Sequence, residues 1–242
     1  MASGSLFMSA QVTETDRARR RIRRVRRVRG FSLIELMVVV IIIGVVAALA
    51  VPTMTAARID RNAYDDAGSI MQLLRAARTH AVARGGAVLI AMTFNGPTDR
   101  GTFQMYEAVG VNPGAAGGLA RAPIAACKAP MDWTGLATNP KVLLVDGLNL
   151  NGTIEGEFDI ETLLVPYTAG GAGAPIKQAY ICFTPLGRTY FNTAGTPTFD
   201  GTQPMVTPLE FRVQRMNGSV AVGTIRSVLL PPNGMARVFS HT

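Results

Sequence analysis

The feature that most constrains this chain is an apolar run near its N-terminus. Residues 36–51 contain no polar side chain, and residues 31–51 are interrupted only by Ser32 and Glu35. As a helix at about 1.5 Å per residue, this stretch spans roughly 31 Å, which is the thickness of a bilayer core. β-Branched residues dominate it, but strands are rarely this long. Its length therefore predicts a membrane helix over residues 31–52.

Basic residues are concentrated immediately before this run. Residues 1–30 hold nine arginines and two acidic residues, so they carry +7 of the chain's formal charge of +8. Positive charge stays on the cytoplasmic side of a membrane helix, which predicts a cytoplasmic N-terminus and a periplasmic C-terminal part. The rest of the chain is close to neutral, so its net charge gives no reason to expect nucleic-acid binding.

Three interpretations of this N-terminus are open. One is a secretory signal peptide cut near residues 47–50, which would release a soluble β-rich binding domain, although the run is somewhat long for this. Another is an uncleaved signal anchor. The third is a basic leader, residues 1–30, that is removed on the cytoplasmic side of the apolar run, directly after Gly30.

The segment G-F-S-L-I-E-L, residues 30–36, resembles the cleavage and methylation motif of type IV pilin-like proteins. The resemblance implies that a prepilin peptidase cuts after Gly30 and methylates the new terminal amine of Phe31. It also implies that Glu35 pairs with the terminal amine of a neighbouring subunit during filament assembly. A carboxylate in the membrane costs about 2.5–3.5 kcal/mol on insertion scales, and such a pair would offset that cost. By position alone, Glu35 could equally favour the helix dipole and reach the lipid headgroups.

The helix is predicted to continue beyond the membrane segment. Pro52 would kink it rather than end it, and the resemblance implies that the stretch between Gly44 and Pro52 loosens in a filament. Residues 85 and 86 are both glycine, which predicts one helix over residues 32–84 and an amphipathic second half within residues 53–86. Small and apolar residues recur there every three or four positions and trace one face: Ile59, Ala63, Ala67, Ile70, Leu74, Ala77 and Ala81.

After Gly86 the hydrophobic period changes to two, which predicts a hairpin of strands over residues 87–94 and 102–109. Residues 110–141 are rich in Gly, Pro and Ala and predict a long loop. Further strands are predicted over residues 141–145, 153–160, 178–185, 188–192, 209–215, 220–230 and 235–240. The fold class is therefore α+β: a long N-terminal helix packed on an antiparallel sheet, in a β-rich domain over residues 87–242. The resemblance implies the same architecture.

Two predicted hairpins resemble those of the GspH/FimT-type branch of the pilin-like family. They are I-C-F-T-P-L-G-R-T-Y-F, residues 181–191, and T-I-R-S-V-L-L-P-P-N-G-M-A-R-V-F, residues 224–239. Either could also be an ordinary hairpin, since Pro and Gly suit turns in any fold. This resemblance implies a minor pilin or a minor pseudopilin.

The remaining chemistry of the sequence is sparse. Cys127 and Cys182 suit one disulfide in an oxidising compartment, with two buried thiols as the alternative. Neither a Cys-x-x-Cys motif nor a histidine cluster supports a metal site, and no cofactor is expected. His80 and His241 are the two histidines, too few to favour a Ser-His-Asp site. His80 has no partner visible in the sequence and is interpreted as structural or solvated.

Four arginines lie in the last predicted strands: Arg212, Arg215, Arg226 and Arg237. On a shared face they could contact DNA phosphates. A solvated sheet edge is the simpler interpretation, so DNA is not an expected partner.

The sequence and the resemblance together predict a minor pilin, a structural subunit without catalytic activity, that helps to prime assembly of a type IV pilus. The alternative is a minor pseudopilin of the type II secretion system. The implied partners are a prepilin peptidase, other minor pilins and the major pilin (or pseudopilins), the assembly platform of the inner membrane, and membrane lipid. The expected location is the bacterial inner membrane and then a pilus or pseudopilus at the cell surface.

Overall fold

The computed structural model describes residues 30–94, 100–110, 122–152, 160–166, 176–217 and 220–241. Its first element is a helix, α1, which begins at Leu33 and ends at Arg84. This confirms the long helix predicted over residues 32–84 and its continuation through Pro52. Gly85 ends the helix: its φ is 72°, and its N–H donates to the Ala81 carbonyl at 3.0 Å. The chain divides into two compact units, residues 1–50 and 51–242.

Within the second unit, one face of α1 is buried against strands. Four of the residues on this face are alanines, whose small side chains let the helix lie close to its neighbours. All seven residues predicted to form the face are at most 7% exposed, which confirms the periodicity: Ile59, Ala63, Ala67, Ile70, Leu74, Ala77 and Ala81.

The strands of the second unit are β1 Val88–Thr93, β2 Thr102–Gly110, β3 Ala122–Pro123, β4 Val142–Asn149, β5 Ile160–Pro166, β6 Gln178–Phe183, β7 Thr189–Asn192, β8 Leu209–Asn217, β9 Val220–Leu230 and β10 Arg237–His241. All pairs between them are antiparallel. The hairpins β1–β2, β6–β7 and β9–β10 confirm those predicted from the sequence.

The strands form two sheets, whereas the sequence predicted one. The larger has the order β3-β2-β1-β6-β7, with β4 also paired to β2, and the smaller has the order β10-β9-β8-β5. The alternation of apolar residues is the same in one sheet as in two, so the sequence pattern could not separate them.

Two further differences concern individual strands. The strand predicted over residues 153–160 falls mostly outside the described residues, and β5 begins where that prediction ended. In the region predicted as a loop over residues 110–141, the described part holds only the short strand β3 and turns.

The larger sheet is covered on both faces. Val88, Ile90 and Met92 of β1 join the main core with α1, β8 and β9. The alternate residue Leu89 joins a second, smaller core that contains Trp133 from the segment after β3. A sheet with both faces covered explains why β1 reads as nearly continuous apolar sequence.

Candidate functional site

The predicted processing residues lie just before the helix. Gly30 and Phe31 are exposed and precede the first turn of α1. The Leu36 N–H donates to the Ser32 carbonyl at 3.1 Å, which closes that turn. Glu35 lies within it, at the end where the helix dipole favours a carboxylate.

The helix that follows is apolar on every side and uncovered. Leu33–Ala50 has a mean hydropathy of 3.0, and none of it is buried. Its large apolar side chains range from 41% exposed at Val39 to 79% at Leu33. Monomeric soluble proteins rarely expose apolar patches of this size. The segment is long and apolar enough to cross a membrane, and it requires lipid or other apolar helices around it.

Glu35 differs from four acidic residues of the second unit that form ion pairs: Asp60, Asp66, Glu107 and Glu210. The ion pairs formed among the described residues connect side chains between Asp60 and Arg215, and none includes Glu35. A carboxylate at the start of an apolar helix can be stabilised by the helix dipole, by the lipid headgroups or by a cation.

Comparison with known proteins identifies this segment. The family model for the prokaryotic N-terminal methylation motif matches residues 25–51. The match begins in the arginine-rich stretch, includes Gly30, Phe31 and Glu35, and ends with the apolar run. Residues 25–51 therefore carry a prokaryotic N-terminal methylation motif. The resemblance inferred from residues 30–36 is thereby confirmed.

The other comparisons add little beyond the match to this motif. No curated protein matches the chain. One similar solved structure is the type IV minor pilin FimU of Pseudomonas aeruginosa strain PAO1, at 12% identity and a TM-score of 0.36. The match covers 76% of this chain and 90% of that one.

The residues predicted to give the pilin-like helix flexibility both lie inside α1. At Gly44, a Cβ atom would meet nothing within 4 Å, so glycine is not required there by packing within the described chain. Pro52 lies in the helix where the first unit meets the second. Proline cannot donate a backbone hydrogen bond, so the helix is weakened at this point.

A disulfide joins Cys127 to Cys182, as the sequence favoured, with 6.0 Å between the Cα atoms. It attaches the segment after β3 to β6, an inner strand of the larger sheet. Beside it, the indole N–H of Trp133 donates to the Cys127 carbonyl at 3.0 Å. One covalent bond and one buried hydrogen bond therefore stabilise the second core.

Sequence reasoning missed a buried ion pair between α1 and the start of β2. The Arg100 guanidinium donates to both carboxylate oxygens of Asp66 at 2.7 Å, and the two side chains are 5% and 7% exposed. One signal was present: Asp66 lies between Ala63 and Ile70 at helical spacing, so it interrupts the apolar face. The position of Arg100 had no such signal.

A second ionic cluster lies near the C-terminal end of α1. Glu107 of β2 is 2% exposed and lies 3.0 Å from His80 Nε2 and 3.3 Å from Arg84 Nε. His80 is therefore a structural residue with a specific partner. The sequence could not reveal Glu107, because 27 residues separate the two.

Two arginines of α1 contact the turn of the β9–β10 hairpin, one of the two hairpins that resemble the GspH/FimT-type branch. Arg75 Nε donates to the Ala236 carbonyl at 2.9 Å, and Arg78 Nη1 lies 2.9 Å from Met235 Sδ. Both contacts are in the β9–β10 turn. Arg78 also lies 3.9 Å from where a Cβ of Gly187 would be, in the β6–β7 turn. The contacts of these arginines therefore fix the β9–β10 turn, and Arg78 lies near the β6–β7 turn.

The arginines of the smaller sheet do not share a face. Arg215 Nε lies 3.7 Å from Asp60 of α1, and the Arg226 guanidinium lies 5.6 Å from the Tyr64 ring centre, also on α1. These two arginines therefore point towards the helix.

The other two lie on the opposite face of that sheet. Arg212 Nη2 donates to Glu210 at 2.9 Å. The register places Arg212 opposite Ser227 and Arg237 opposite Leu229, on alternate residues of β9. The four arginines therefore do not form the single face that joint contact with DNA phosphates would require.

A shallow cleft of about 290 Å³ lies at the edge of the second core. Its walls come from the segments 129–133 and 197–200. The pKa of Asp132 in this cleft is lowered by the Thr134 N–H and hydroxyl, which donate to its carboxylate. The described residues include no group of three His, Cys, Asp or Glu side chains suited to a metal ion.

Proposed function

We propose that the protein is a minor pilin, a structural subunit of a type IV pilus that helps to prime filament assembly. The observation that carries this proposal is the methylation motif over residues 25–51, followed by a helix whose apolar surface is uncovered. Such a surface suits a helix that lies first in lipid and then among the helices of neighbouring subunits.

In this proposal, residues 1–30 form a cytoplasmic leader that a prepilin peptidase removes after Gly30. The new amine of Phe31 is methylated and pairs with Glu35 of the neighbouring subunit. Residues 31–52 anchor the protein in the inner membrane and later enter the filament core, and the stretch between Gly44 and Pro52 loosens on assembly. The β-rich domain over residues 87–242 is presented in the periplasm and then on the filament, next to other minor pilins and the major pilin.

The mature N-terminus tests the proposal first. We expect mass spectrometry of purified membranes to find an N-methylated chain that starts at Phe31. A chain that starts near Val51 and is free in the periplasm would contradict the proposal and favour a signal-peptide-released domain. Recovery of the protein in sheared surface filaments supports a type IV pilus. Its retention in the envelope of cells with active type II secretion supports the pseudopilin alternative.

A pair of variants tests the role of Glu35. Glu35→Ala removes a carboxylate that opposes insertion by about 2.5–3.5 kcal/mol, so we expect normal insertion and cleavage but loss of filament incorporation. Val40→Ala changes an exposed side chain of the same apolar helix without altering charge, and it should leave both cleavage and incorporation unchanged. Full incorporation of the Glu35→Ala protein would refute the assembly role while leaving processing intact.

A further inference from the structure

Strand β4 lies at an edge of the larger sheet, as the described strands form it. It pairs with β2 on one side, and the described strands provide no partner on the other. Leu143, Leu144 and Val145 at its centre are 38%, 56% and 37% exposed. Three consecutive exposed apolar residues on an edge strand are unusual, because natural edges are normally protected by charge, proline or a covering segment.

The main chain of β4 offers hydrogen-bonding groups along this free side. The Val109 N–H donates to the Lys141 carbonyl at 2.8 Å, so the Lys141 carbonyl points towards β2. Ladder groups alternate along an antiparallel strand, which directs the N–H and carbonyl of Leu144 away from β2. Such an edge recognises another extended strand through its backbone.

The charges around this edge are self-complementary. Lys141 precedes the apolar stretch and Asp146 follows it, and both are exposed. The ladder is irregular opposite Val145, so Asp146 faces the same side as Leu143. An antiparallel copy of the same strand would therefore bring each lysine next to an aspartate.

We propose that β4 pairs antiparallel with β4 of a second copy of this chain. In the register that matches the charges, Leu143 lies opposite the partner's Leu143, and the Leu144 N–H donates to the partner's Val142 carbonyl. The Val142 N–H stays bonded to the Asn139 carbonyl of its own chain, at 3.0 Å. Lys141 then meets the partner's Asp146 across the irregularity. The pairing does not depend on processing or methylation of the N-terminus.

Cross-linking of the full chain in membranes tests the contact. The chain's two cysteines are joined to each other, so Leu143→Cys introduces a single free thiol on the proposed twofold axis. Mild oxidation should give a disulfide-linked homodimer at about ten times the yield of Val206→Cys, a control at a position that is 84% exposed. Equal yields from the two variants would overturn the proposal, as would an adduct with a different protein identified by mass spectrometry.

A charge exchange distinguishes a second copy from a foreign strand. In the Leu143→Cys background, Lys141→Asp should lower the dimer yield about fivefold, because two exposed ion pairs become like-charge pairs. Adding Asp146→Lys should restore the yield, since both copies then carry the exchanged pattern. Failure of the double exchange to restore it, with the emission of Trp133 unchanged to show intact folding, would overturn the proposal. Because the assay uses the membrane pool, this result leaves the pilin assignment untouched.

Discussion

The two halves of α1 each hold an acidic residue in apolar surroundings, but only one of the two residues has an ion-pair partner among the described residues. Asp66 interrupts the buried face of the second half and receives two hydrogen bonds from Arg100 of the same chain. Glu35 lies on the uncovered first half, where no ion pair of the described residues reaches it. The chain itself surrounds the buried face of the second half, whereas the apolar surface of the first half is left uncovered. The following predictions test this division.

The largest expected effect is at Asp66. Asp66→Ala leaves the Arg100 guanidinium buried without its partner, which should lower the free energy of unfolding by about 3–5 kcal/mol. Urea unfolding of the full chain in detergent, followed by the emission of Trp133, measures this. Asp65→Ala removes an exposed neighbouring carboxylate and should change stability by less than about 0.5 kcal/mol. Equal effects of the two variants would contradict the structural role of the pair.

Loss of the disulfide should have a similar effect, confined to the second unit. Replacing Cys127 and Cys182 by alanine opens a loop with a sequence separation of 55 and should cost about 4 kcal/mol in the chain-entropy model. The same urea experiment measures this cost. Membrane anchoring should be unaffected, which extraction at alkaline pH would check. Release of the double variant from the membrane would show that membrane anchoring depends on the disulfide of the second unit.

A matched pair of leucines compares the two halves directly. Leu74 is fully buried and Leu36 is 57% exposed. Leu74→Ala should lower the free energy of unfolding by about 2–5 kcal/mol, because it leaves a cavity in the main core. Leu36→Ala should leave unfolding of the second unit unchanged and reduce membrane insertion by only about 0.5 kcal/mol. A large loss of folding stability in the Leu36→Ala protein would break the comparison.

The smallest expected effect concerns Asp132, an exposed carboxylate satisfied by its own loop. Hydrogen bonds from Thr134 lower its pKa in the folded state. The resulting stabilisation is present above the unfolded pKa of about 3.9 and is lost as pH falls through the lower folded value. Asp132→Ala should therefore reduce stability at pH 7, by less than about 1 kcal/mol because the group is solvent-screened. Below both pKa values this carboxylate contribution disappears, so the difference from the unsubstituted protein should shrink; a difference that does not vary with pH would contradict this account.

Much of the fold was predictable because its signals are local. The helix bounds, the buried face from Ile59 to Ala81 and the hairpins depend on residues a few positions apart. The methylation motif is likewise contiguous. The roles of Gly30, Phe31, Glu35, Gly44 and Pro52 stay predictions, since they concern an enzyme and neighbouring subunits outside this chain.

By itself, the sequence determined a basic N-terminal stretch, an apolar segment of bilayer length and an α+β order of elements, since charge, hydropathy and periodicity are read along the chain. Tertiary structure alone decided that the strands divide between two sheets. It also paired Asp66 with Arg100 and His80 with Glu107, and turned the arginines of the smaller sheet to opposite faces. The physical reason is that each of these depends on residues brought together from distant positions, where packing and desolvation select partners that no local pattern specifies.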